Sequence, residues 1–84
     1  GVDLIPELIE KARLRVPGCE FRAGSALEPG LLEPRSFPVV TSIGVFSTFR
    51  FDQIEIFIRN VCTWAAPGGR IVLFDFFIND PAAT

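Results

Sequence analysis

Phe37-Pro38-Val39-Val40-Thr41-Ser42-Ile43 is an apolar run that does not alternate and is rich in β-branched residues. Such a run belongs to a strand buried on both faces, as in parallel sheets lying between helices. Pro38 brings no N–H to a ladder, so it is tolerable only at the beginning of that strand. A second run of the same kind spans Arg70 to Phe77. Between the two, Asp52 reads as the cap of a helix, with Glu55 three residues on as in a capping box. Ile54, Phe57, Ile58, Val61, Cys62 and Ala65 then recur on one apolar helical face. Ala66-Pro67-Gly68-Gly69 breaks that helix, and Gly44 to Phe51 is a loop or short helical turn rich in aromatics.

Toward the amino end, Gly1-Val2-Asp3-Leu4 reads as the close of a strand. Pro6 opens a helix carrying Ile5, Leu8, Ile9, Ala12 and Val16 at helical spacing. Its start is poorly capped, because Ile5 stands where a small polar residue would serve, and Pro17-Gly18 stops it. Cys19 to Ala23 alternates as a short strand. Leu27 to Ser36 is a loop with one helical turn at Gly30-Leu31-Leu32-Glu33, and Ile78 to Thr84 is a loose tail. Strands alternate with helices, so the fold class is α/β: a parallel sheet flanked by helices.

The chain has 84 residues, 49% of them hydrophobic and 21% charged, which is globular and allows one thin domain. So oily a short chain is expected to be a piece of something larger, and Gly at position 1 with no Met anywhere fits excision. The absence of His and Tyr excludes imidazole bases and His-ligated metal sites within these residues. Cys19 and Cys62 lie 43 residues apart with no CxxC pair, and read as reduced core thiols. Net charge is −2 and the cations are scattered, which leaves no nucleic-acid stripe. No run approaches the roughly 20 apolar residues that span a bilayer. A cytoplasmic protein with no nucleic-acid or membrane partner is the expectation.

Asp3 is the first candidate for chemistry. A carboxylate at the end of a strand that opens a helix can accept both vicinal hydroxyls of a ribose. Gly1-Val2-Asp3-Leu4-Ile5-Pro6-Glu7-Leu8-Ile9-Glu10-Lys11-Ala12 resembles the second-strand signature of class I, Rossmann-like S-adenosylmethionine-dependent methyltransferases. Phe21-Arg22-Ala23-Gly24-Ser25-Ala26 is similar to that family's third-strand end, usually Phe-x-x-Gly-Asp-Ala. Phe37 to Phe46 resembles its fourth strand, and Trp64 to Leu73 its Pro-Gly-Gly turn into the fifth. The four motifs cover nearly the whole chain in the family's order, so residues 1–84 are expected to be a partial methyltransferase domain holding the second to fifth strands.

The resemblance implies S-adenosylmethionine as cofactor and a methyl acceptor, read as a small molecule from the lack of basic surface. It places Asp3 on the ribose hydroxyls and Leu4 on one adenine face. Ser25 stands where the family usually has Asp to accept from the adenine amino group, and a hydroxyl there lacks the charge that strengthens such a bond. Ala26 would offer its backbone N–H to the adenine ring, and Ser42 and Ile43 their backbone to the methionine portion. Pro38 and Ser47-Thr48 depart from the family's usual acidic and His residues. The family's glycine-rich loop, first strand, sixth strand and seventh strand find no counterpart in these motifs. That implies an incomplete sheet, exposed strand edges prone to self-association, and feeble cofactor binding without catalysis by these residues alone. Two other readings are a nicotinamide-dependent Rossmann dehydrogenase fragment and a non-catalytic α/β interaction module. The first wants a catalytic Tyr-Lys or His that is missing here. Asp75, late in the last strand, reads more readily as an acid satisfied by backbone N–H groups than as an acceptor-site carboxylate.

Overall fold

Parallel strands need a crossover of a dozen or more residues, and each half of this chain supplies one. The computed structural model describes residues 1–75, so Phe76 and Phe77 of the expected last strand, and the tail after them, lie outside the described residues. The chain divides into two compact units, Gly1–Glu33 and Pro34–Thr84.

In the first unit β1 (Val2–Asp3) leads into α1 (Pro6–Arg15) and returns to β2 (Arg22–Ala23). The strands pair in parallel, Val2 with Arg22 and Asp3 with Ala23. Ile5 holds the cap position of α1 without a side-chain bond, as expected. The expected strand from Cys19 shrinks to two residues, because the ladder extends only as far as β1 does and Cys19 N–H turns back to the Val16 carbonyl. The expected helical turn at Gly30–Glu33 does not form; Leu31 N–H closes a simple turn on Glu28 instead. Of the apolar stripe on α1, Ile9 is buried and Ala12 half-buried, while Ile5, Leu8 and Val16 are exposed.

The second unit contains β3 (Phe37–Ile43), a 3₁₀ turn (Phe46–Thr48), α2 (Phe51–Trp64) and β4 (Ala65–Phe74). β3 and β4 are parallel and run in continuous register from Val39↔Arg70 to Ile43↔Phe74. Helix passes into strand without a loop: Trp64 is helical, and Ala65 is already extended and opposite Phe37. Between Phe37 and Val39 the register shifts, and the Pro-Gly-Gly segment is accommodated in this irregularity. Pro38 sits at the same irregularity, where its missing N–H costs no regular ladder bond.

The cap of α2 differs from expectation. Asp52 lies inside the first turn; Arg50 is the cap residue, and its N–H donates to Gln53 Oε1 at 2.9 Å. Gln53 is three residues beyond the true cap, so it occupies the position expected of Glu55. The buried stripe of α2 is Phe57, Asn60, Val61 and Trp64, and it packs toward β3 and β4. Its centre is turned away from Ile54, Ile58 and Cys62, which leaves Cys62 exposed; Cys19 is exposed too, so neither thiol is in the core. The rings of Phe46 and Phe49 pack on Phe57, with centroids 5.5 and 5.3 Å away.

β3 is covered on one face only. Ser42 is buried, whereas Val39, Thr41 and Ile43, which alternation places on the opposite face, are exposed, as are their partners Val72 and Phe74. The unbroken apolar run therefore does not correspond, among the described residues, to a strand covered on both sides.

Two outcomes follow from this geometry. A Cβ on Gly69 would lie 2.8 Å from the Ala66 carbonyl oxygen and 2.9 Å from that of Pro38, both backbone atoms. Gly69→Ala is therefore expected to lower the unfolding free energy by about 1–3 kcal/mol in urea denaturation. Asp52, beside the Arg50 guanidinium that hydrogen-bonds its side chain, is held below the ordinary aspartate value of 3.8. A depressed carboxylate favours the fold above its unfolded value, and that contribution disappears as pH falls through the folded value. NMR titration should find the Asp52 carboxyl below 3.8 and moving up toward it in Arg50→Gln.

Candidate functional site

In doubly wound α/β folds ligands sit beyond the carboxyl ends of the strands. In the first unit that end holds Asp3, Leu4, Ser25 and Ala26 together. Asp3 pairs with Ala23, and the Gly24 N–H donates to the Asp3 carbonyl at 2.9 Å, which sets the Gly24-Ser25-Ala26 turn beside the acid. Asp3 Oδ1 accepts the Ile5 N–H at 2.9 Å, fixing the carboxylate over the turn that opens α1. Oδ2 makes no hydrogen bond among the described residues and Oδ1 keeps a second lone pair. The half-buried carboxylate can therefore still accept from two hydroxyls.

Leu4, beside it, is 70% exposed, an apolar surface without cover. Ser25 is half-buried and its Oγ accepts the Leu27 N–H at 3.1 Å, so its hydroxyl proton remains to be donated. Ala26 is half-buried in the same turn. The strand tips thus bring together an acid with an open oxygen, an uncovered leucine and a hydroxyl in the adjoining turn.

In the second unit, the Gly44 N–H donates to the Phe74 carbonyl at 2.9 Å at the carboxyl end of β3. Backbone groups alternate in direction along a parallel pair, so the N–H and carbonyl of Ile43 point away from β4. Ser42 spends its own on the ladder. Ser42 Oγ is buried and has no hydrogen-bond partner among the described residues, and Ile43 is 73% exposed. Asp75, half-buried just past β4, accepts the Ser47 N–H through Oδ2 at 3.3 Å and so ties the loop after β3 to the end of β4. This is the backbone-satisfied acid that the sequence favours.

Arg35 had no signal in the sequence. It adopts φ 56°, a left-handed conformation that Gly or Asn usually marks. There its N–H donates to the Thr63 carbonyl at 2.7 Å, and the following Ser36 N–H to that of Trp64 at 3.0 Å. Among the described residues no cluster of His, Cys, Asp and Glu is arranged to hold a metal ion, and no helix is long and apolar enough to cross a membrane.

The order of elements, the paired strand tips and the Pro-Gly-Gly irregularity define a Rossmann-like α/β domain of the class I methyltransferase type. Residues 1–73 match the family described as a methyltransferase domain, and the chain belongs to that family, whose members generally bind S-adenosylmethionine. Its fold is similar to the crystal structure of PH0226 protein from Pyrococcus horikoshii OT3, with a TM-score of 0.78 and 25% sequence identity. That likeness covers 87% of this chain and 36% of the other, so the chain spans well under half the length of the structure it resembles. No curated protein matches the sequence.

Ser42→Ala removes a buried oxygen with no partner, and is expected to leave the unfolding free energy unchanged or raise it by up to about 1 kcal/mol. A loss greater than that in urea denaturation would show that the hydroxyl is matched in solution.

Proposed function

We propose that this chain supplies the adenosine-binding part of an S-adenosylmethionine-dependent methyltransferase acting on a small-molecule acceptor. The observation that carries the reading is the pose of Asp3: its Oδ1 is anchored by the Ile5 N–H and its Oδ2 left open at a strand tip. A carboxylate held this way can take the vicinal hydroxyls of a ribose without reorganising. Leu4 offers a surface for the adenine ring, Ser25 a neutral hydrogen-bonding group at its edge, and Ala26 its backbone. For the second unit the proposal is confined to the backbone of Ile43 as a contact for the methionine portion, since that of Ser42 is taken by the ladder.

Bound S-adenosylmethionine would supply an already activated methyl group. The protein's work is then to orient cofactor and acceptor and to keep the reacting atoms in line. No nucleophilic side chain is required of this chain for such a reaction. The few and scattered cations favour a small acceptor over a polyanion.

Calorimetric titration of the intact natural polypeptide with S-adenosylhomocysteine tests the proposal. Binding is expected, with Asp3→Ala weakening it at least tenfold. Asp3→Asn, which keeps an acceptor for the Ile5 N–H but loses the charge, should give a smaller loss. A polypeptide that is folded and ignores the ligand would instead favour the non-catalytic interaction module.

A further inference from the structure

A concavity lies at the amino ends of β3 and β4, entirely within the second unit. Pro34, Arg35, Cys62, Ala66, Pro67 and Ile71 line most of this groove of about 560 Å³. Its size is that of a small-molecule site, and its walls are largely apolar with few polar groups, the usual make-up of such sites.

Arg35 is the unusual member. Like Arg15, Arg22 and Arg70, it has no ion pair among the described residues, and unlike them it has a left-handed backbone and lines the groove. Its left-handed backbone is explained by the need to present successive N–H groups to Thr63 and Trp64, but a glycine would do that without strain. What glycine would lack is a cationic side chain on a residue that lines the groove.

We propose that this groove binds a small apolar carboxylate, its hydrocarbon part on Ala66, Pro67 and Ile71 and its charge on Arg35. A guanidinium takes a carboxylate through two parallel hydrogen bonds, which makes the charged end decisive for recognition. The site is independent of the adenosine reading, since it shares no residue with it.

The test is an NMR titration of the full chain with octanoate, n-octanol and octylamine. Octanoate should shift Arg35, Ala66 and Ile71 resonances saturably and bind at least tenfold more tightly than octanol, with octylamine weaker still. Arg35→Gly, which relieves the backbone strain and should fold at least as well, is expected to erase the preference for octanoate; Arg35→Lys should retain much of it. Equal binding of octanoate and octanol would overturn the proposal. So would a preference that survives Arg35→Gly, shifts confined to other residues, or no binding.

Discussion

The second unit hangs on the way the end of α2 is joined to the beginning of β3. A helix ends with carbonyls that have lost their partners, and here those of Thr63 and Trp64 receive the N–H groups of Arg35 and Ser36. Phe37 then lies opposite Ala65. The cap of the helix and the first rung of the sheet are thus one continuous set of backbone bonds. With no loop between Trp64 and Ala65, the slack needed to aim β4 along β3 is taken up in the Pro-Gly-Gly irregularity. Gly69 is the residue that lets backbone approach backbone there.

Much of this plan can be read in the residues. The two runs without alternation mark β3 and β4, the prolines and glycines mark the ends of α1 and α2, and the order of elements makes the sheet parallel. Other features are settled by tertiary geometry. Asp52 and Gln53 are both good residues for a first helical turn, and only the path of the preceding loop decides that Arg50 is the cap. The stretch from Cys19 has strand alternation, but a ladder needs a partner of equal length, and β1 supplies two residues. The exposed face of Val39, Ile43, Val72 and Phe74 is likewise invisible in a pattern that records hydrophobicity and not cover.

The candidate site shows the same division. Asp3 alone is explained as well by the helix start it precedes, and it stands out only with the motifs that follow it in order. Its companions Leu4, Ser25 and Ala26 are ordinary residues, and they become a group only when parallel pairing brings the ends of β1 and β2 side by side. The resemblance gives Ser42 and Ile43 the same backbone role, yet alternation separates them: the ladder uses the backbone of one and leaves that of the other pointing outward. Arg35 is hidden for a further reason. Left-handed conformations are usually signalled by Gly or Asn, and an arginine forced there by two helix carbonyls carries no such mark.

The strand tips of the first unit and the groove of the second are stabilised by different means, and this bears on what each can do. At the carboxyl end of the first unit the strands are two residues long, and of α1 only Ile9 is fully buried. So short a pair has little packing to hold a side chain in place. The pose of Asp3 depends instead on local hydrogen bonds, from Ile5 to its carboxylate and from Gly24 to its carbonyl. One carboxylate therefore both shapes the turn into α1 and presents the open oxygen. A substitution there changes the local fold as well as the ligand's contacts, unless the new side chain keeps an acceptor for the Ile5 N–H. At the amino end of the second unit the order is reversed. Phe57, Val61 and Trp64 anchor α2, the helix end dictates the backbone of Arg35, and its side chain makes no ion pair among the described residues.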